Sequence, residues 1–127
     1  MIENIKSQMR KGILEYCILV IISRKESYAT DILDILRKAD LLVVEGTVYP
    51  LLTRMKNNGL LDYRWEESAG GPPRKYFRLT SEGHHLLEQL DAEWQSISTS
   101  IDAIIKSDPT SEAQTPYTDE DPLFRTK

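Results

Sequence analysis

Along most of the chain apolar side chains recur at helical spacing, and only one stretch changes to a two-residue alternation. From about Ser7 to Ser23 the stripe Met9, Ile13, Cys17, Val20 and Ile21 predicts a first helix. Leu14, Ile18 and Leu19 widen that stripe, so the helix is expected to be buried on more than one side, with residues 1–6 as a frayed lead-in. A polar turn, Arg24–Ser27, leads to a second helix over Tyr28–Ala39 with Ile32, Leu33, Ile35 and Leu36 facing inward. The connection Asp40–Glu45 carries Leu41, Leu42, Val43 and Val44, a candidate short strand for pairing with a later hairpin.

The stretch Gly46–Gly59 is the third helix. Val48, Leu51, Leu52 and Met55 fall within roughly 100° of one another on a helical wheel. The remaining surface carries Thr47, Tyr49, Pro50, Thr53, Arg54, Lys56 and Asn57: two cations, short hydrogen-bonding groups and no acid. Proline has no amide hydrogen, so the sequence leaves two starts open. The helix begins near Thr47 with that residue as N-cap, or it begins at Glu45–Gly46 and bends at Pro50.

Gly59 suits a helix C-terminus, and two alternating runs follow, Leu60–Glu67 and Lys75–Thr80. Leu61, Tyr63 and Trp65 on one run, and Phe77 and Leu79 on the other, are expected to pack on the helices. The connection Ser68–Pro73 reads as a six-residue turn with Arg74 and Lys75 at its base.

Thr80 is a good N-cap for a last, long helix. In it Leu86, Leu90, Trp94, Ile97, Ile101 and Ile104 recur at spacings of 4, 4, 3, 4 and 3. Running to Lys106, this helix spans about 39 Å. A domain of this size cannot cover so long an apolar edge, and the 4-3 spacing favours a second helix of the same kind, which predicts a homodimer. Beyond Ser107 the Asp/Thr/Ser/Pro-rich chain reads as a disordered tail in which Leu123–Phe124–Arg125 is a candidate docking segment. The whole is mainly α with one small β-hairpin, an α+β arrangement. Its order fits a winged helix-turn-helix domain over residues 1–80, a dimerisation helix over 81–106 and a tail over 107–127.

Composition narrows the chemistry. No apolar run approaches 18 residues, so no membrane span is expected. The single cysteine, Cys17, excludes a disulfide framework and reads as a core thiol in a cytoplasmic protein. His84 and His85 are adjacent and point about 100° apart, which does not make a metal site. No nucleophile, carboxylate pair or phosphate loop emerges, so neither enzyme nor cofactor is expected.

The net charge of −4 conceals a division. Residues 1–80 hold 13 Lys and Arg against 10 Asp and Glu, net +3, and residues 81–127 hold 3 against 10, net −7. The module with the helix and hairpin is therefore the basic part. Its polar helix face suits a groove lined with phosphates and base edges. Thr47, Tyr49, Thr53, Arg54 and Asn57 are the candidates on that face, with Arg54 or Asn57 as base readers and Thr47 and Tyr49 on phosphates. Arg74 and Lys75 would reach the backbone or the minor groove, and Tyr28 a phosphate. Two other readings stand beside this one: a winged-helix protein-interaction module, and a ligand sensor that no longer binds DNA.

The run Gly46-Thr-Val-Tyr-Pro-Leu-Leu-x-Arg-Met-x-x-x-Gly59-Leu-Leu, followed by Gly71-Pro-Pro-Arg-Lys-Tyr-Phe-x-Leu-Thr80-x-x-Gly83, resembles the PadR family of bacterial transcriptional regulators. The resemblance covers roughly residues 8–106, and one long C-terminal helix is similar to the family's short subfamily. It implies a dimeric repressor on a pseudo-palindromic DNA operator. Tyr28, Thr47, Tyr49, Arg54, Arg74 and Lys75 match its DNA-contacting positions. Trp94 matches the aromatic that, in some members, lines a pocket for a small aromatic effector at the dimer interface. The chain departs from the pattern at Tyr28-Ala-Thr30, where many members have Tyr-Gly-Tyr and so one further possible phosphate contact.

Overall fold

Gly12 divides what the periodicity joins. In the computed structural model, which describes residues 1–41 and 44–108, its φ of +87° breaks the expected first helix in two. Helix α1 spans Ile2–Arg10 and α2 spans Ile13–Arg24. Residues 2–6 are thus helical rather than frayed, and α1 buries none of its side chains, Met9 included. The core face of the split segment is carried by Ile18, Leu19 and Ile22 of α2, with Cys17 half-buried beside them.

Helix α3 spans Ala29–Lys38. Its first turn is closed by the Tyr28 amide, which donates to Oδ2 of Asp31 at 3.0 Å. Ile32, Leu33 and Leu36 are buried, whereas Ile35, expected inside, is exposed because it lies about 100° from the centre of that stripe.

Helix α4 spans Glu45–Asn57 with Val44 as N-cap, so Thr47 lies within the first turn and does not cap it. Pro50 sits inside the helix, where its missing amide leaves the Gly46 carbonyl without an intrahelical donor. Val48, Leu52 and Met55 are buried, as the stripe predicts. The helix ends through Gly59 at φ +79°, whose amide donates to the Lys56 carbonyl at 3.0 Å while that of Leu60 reaches Met55 at the same distance.

Strands β1 (Leu61–Ser68) and β2 (Gly71–Leu79) pair antiparallel with Leu61 opposite Leu79 and Trp65 opposite Lys75. The expected six-residue turn is shorter: the strands run on until Ala69–Gly70, with Gly70 at φ +76°. Pro72 and Pro73 are accommodated because the ladder is irregular between Glu66 and Ser68, where the proline nitrogens need no partner. Among the described residues, the hairpin's one further pairing is with Ser27. The Ser27 and Phe77 amides each donate to the other's carbonyl, at 3.1 and 2.9 Å. This bridge fastens the start of α3 to the returning strand. Leu42 and Val43 lie outside the described residues.

Helix α5 spans Ser81–Lys106. Oγ1 of Thr80 accepts the Gly83 amide at 3.0 Å and donates to the Gly59 carbonyl at 2.6 Å, which fixes the start of the helix to the end of α4. The chain divides into two units, Met1–Leu90 and a second beginning at Asp91. The first unit extends past the expected boundary at residue 80 because Leu87 is buried and Leu86 and Leu90 pack on the core. In the second unit Trp94, Ile97, Ile101 and Ile104 are 42–50% exposed. Leu123–Phe124–Arg125 and the rest of the expected tail from residue 109 lie outside the described residues. No described helix is long and apolar enough to cross a membrane.

Candidate nucleic-acid interface

The buried stripe of α4 turns the opposite side of that helix outward, and the Ser27–Phe77 bridge holds the hairpin beside it. Between them lies a cleft of about 440 Å³. Tyr28 enters it from the start of α3, Tyr49 and Thr53 from α4, Trp65 from β1, and Arg74 and Lys75 from β2, with the buried Leu52 and Phe77 behind them. A smaller cleft of about 150 Å³ shares Thr53 and Lys75 and adds Lys56, Asn57 and Tyr63. Among the described residues that line the two clefts there is no carboxylate.

Six of the eight residues expected at such a surface therefore meet here: Tyr28, Tyr49, Thr53, Asn57, Arg74 and Lys75. Thr47 and Arg54 line neither cleft. Thr47 is exposed in the first turn of α4, where its amide donates to the Val44 carbonyl at 2.8 Å. The Arg54 guanidinium donates to Oε1 of Glu15 in an ion pair with α2.

The hydrogen bonds already made restrict what the helix can offer. Thr53 spends its hydroxyl proton on the Tyr49 carbonyl, 3.1 Å away, and so presents a methyl group and oxygen lone pairs. Those suit a thymine methyl or a base amino group. Lys56 and Lys75 keep their ammonium groups over aromatic faces: that of Lys75 lies 4.6 Å from the Tyr63 ring and 5.6 Å from that of Trp65, and that of Lys56 lies 5.8 Å from Tyr63. Such contacts orient a cation without neutralising it.

A second aromatic cluster begins at Tyr28 of the same cleft. The Tyr28 and Tyr76 rings are 4.8 Å apart, Arg74 lies 5.4 Å over Tyr28, and Arg64 lies 4.6 Å over Tyr76. Arg64 is paired with Glu66 at 3.2 Å and Glu26 at 3.7 Å, so it anchors the hairpin to the turn before α3. Local desolvation, followed by the neighbouring Glu66 carboxylate, raises the Tyr28 phenol above its ordinary value. It remains a neutral hydroxyl donor at physiological pH.

Trp65, expected to pack on the helices, lies outside the core. Burial along β1 declines from Leu61, through half-buried Tyr63, to Trp65 at 61% exposure, because the hairpin outruns the helical core. The signal available in the sequence was its place near the hairpin tip and opposite a lysine. Tyr76, the ring partner of Tyr28, and Glu15, the partner of Arg54, carried no such signal.

Comparison with known proteins adds a family to this geometry. The profile of the Transcriptional regulator PadR-like family matches residues 18–89. A PadR-like transcription factor from Bacteroides fragilis shares 52% identity, with 80% of this chain and 98% of that one covered at a TM-score of 0.68. A PadR-like transcriptional regulator from Bacillus cereus shares 36% identity over 80% of this chain and 99% of the other, at a TM-score of 0.71. One from Eggerthella lenta shares 26% over 84% and 94%, at 0.74.

Proposed function

Because the chain belongs to the Transcriptional regulator PadR-like family, whose members are regulators rather than enzymes, we propose that it is a homodimeric repressor that binds a pseudo-palindromic duplex in the cytoplasm. The observation that carries this reading is the cleft between α4 and the hairpin, basic and hydroxyl-bearing, with no carboxylate among its described lining residues. The α4 face enters the major groove, with Thr53 and Asn57 at the base edges and Tyr49 and Tyr28 on phosphates. Arg74 and Lys75 neutralise the backbone or reach the minor groove beside it. Thr47 and Arg54 contact the same duplex from the edges of the face, Arg54 by exchanging Glu15 for a phosphate or a base.

Dimerisation is supported by the exposure of Trp94, Ile97, Ile101 and Ile104 along one helix stripe. In the pair these four side chains form the interface, and Leu86 and Leu90 continue the stripe where they emerge from the core. A two-fold pair must offer its reading helices about one helical turn of DNA apart, roughly 34 Å. A small aromatic effector held between the two Trp94 side chains alters that separation and so the affinity. Duplexes carrying the gene's own promoter test the reading. Affinity should fall steeply with added salt as counterions are released, and Arg54→Ala combined with Lys75→Ala should abolish it. Salt-independent binding, or a double variant with unchanged affinity, contradicts it.

A further inference from the structure

An exposed tryptophan by itself is ordinary on a protein surface, but Trp65 is not loosely displayed. Its ring meets Tyr63 edge-on at 5.9 Å and an interplanar angle of 87°, and the Lys75 ammonium lies 5.6 Å from its centre. Lys75 is also its direct neighbour across the ladder. These contacts hold the indole at the rim of the cleft it shares with Tyr49 and Thr53, yet leave it 61% exposed. An apolar plane held in position, more than half exposed and with a cation beside it, is complementary to a surface that alternates charged and apolar parts. The strand of a duplex is such a surface, with phosphates separated by deoxyribose rings and base edges.

We propose that Trp65 is a DNA-contacting residue. Its indole packs on the deoxyribose and base edge of the strand lying in the cleft, while Arg74 and Lys75 take the flanking phosphates. The proposal rests on the DNA-binding reading above and adds to it an uncharged contact on the hairpin. Being uncharged, the contact releases no counterion. Its loss lowers affinity equally at every salt concentration, whereas loss of a phosphate-bound lysine flattens the salt dependence by about one unit of log–log slope.

The test is fluorescence anisotropy with the full chain and a labelled duplex selected by the wild-type protein from a randomised pool, titrated at several salt concentrations. Trp65→Ala is expected to weaken binding roughly ten- to a hundredfold with the wild-type slope, and Trp65→Phe to recover most of it. Lys75→Ala is expected to reduce the slope. Thermal melting should leave Trp65→Ala close to wild type, since the ring is exposed. Wild-type affinity in Trp65→Ala overturns the contact while the DNA reading stands. A reduced slope in that variant also overturns it, because the loss then acts through Lys75. Failure of the wild-type chain to select or bind any duplex overturns both.

Discussion

Gly83, in the first turn of α5, lies so close to the end of α4 that a Cβ at this position would come within 2.2 Å of the Leu60 carbonyl oxygen. That oxygen already accepts the Thr80 amide at 3.1 Å, so it cannot swing aside without breaking a backbone bond. Gly83→Ala is expected to destabilise the first unit by about 3 kcal/mol, lowering the calorimetric melting temperature by roughly 10 °C or more. A melting temperature within a degree or two of wild type contradicts the close approach.

Thr80 makes the second link in the same junction. Replacing it by Ala removes the acceptor for the Gly83 amide and the donor to the Gly59 carbonyl, a loss of about 1–2 kcal/mol. Thr80→Ser keeps the hydroxyl and is expected to retain most of the stability. Equal denaturant midpoints for the Ala and Ser variants would show that the hydroxyl is not what matters.

These two residues also show where the sequence is legible. Thr80 reads as an N-cap because a short hydroxyl before an apolar helical repeat has few other uses, and the apolar stripe of α4 emerges for the same reason. Gly83 could be seen only as a motif position, since its necessity comes from the Leu60 carbonyl, which is far away in sequence and near in space. The order of helices and hairpin follows from periodicity. The break at Gly12 does not, because an apolar repeat continues through a positive φ without interruption. Trp65 and Ile35 were misplaced because alternation and helical spacing give a direction but not the extent of the core. Most of the cleft's residue types were legible. The Arg54–Glu15 pair, formed between α4 and α2, was not.

That pair gives a further prediction. Both side chains are partly exposed, so the pair should contribute no more than about 1 kcal/mol to stability. On the proposed role of Arg54, Glu15 competes with the duplex for its guanidinium, and the pair's larger effect is expected on binding. Glu15→Gln is expected to leave the melting temperature nearly unchanged and to tighten DNA binding several-fold. Arg54→Ala should weaken binding with little change in melting. Looser binding by Glu15→Gln would assign Glu15 the opposite part, that of holding Arg54 in place for the DNA.

At the hairpin base, the Arg78 guanidinium 3.1 Å from Asp62, followed by the Tyr63 amide at 2.8 Å, holds the Asp62 carboxyl below the ordinary carboxylate range. The folded value lies below the unfolded one, so the stabilising effect is fully present above the ordinary carboxylate range and is lost as pH falls through the folded value. Asp62 is exposed, and the effect is best read at the residue itself. Its carboxyl carbon resonance should titrate at lower pH than in Arg78→Gln. Coincident midpoints contradict the assignment to Arg78.

In the proposed function, two copies joined along their last helices grip one duplex together. Sedimentation of the full chain with and without a duplex bearing its own promoter, at low ionic strength, tests it most directly. The expected result is a free dimer that binds as a unit, two chains to each duplex. A free monomer that loads one chain per duplex, or that ignores the duplex altogether, would contradict it.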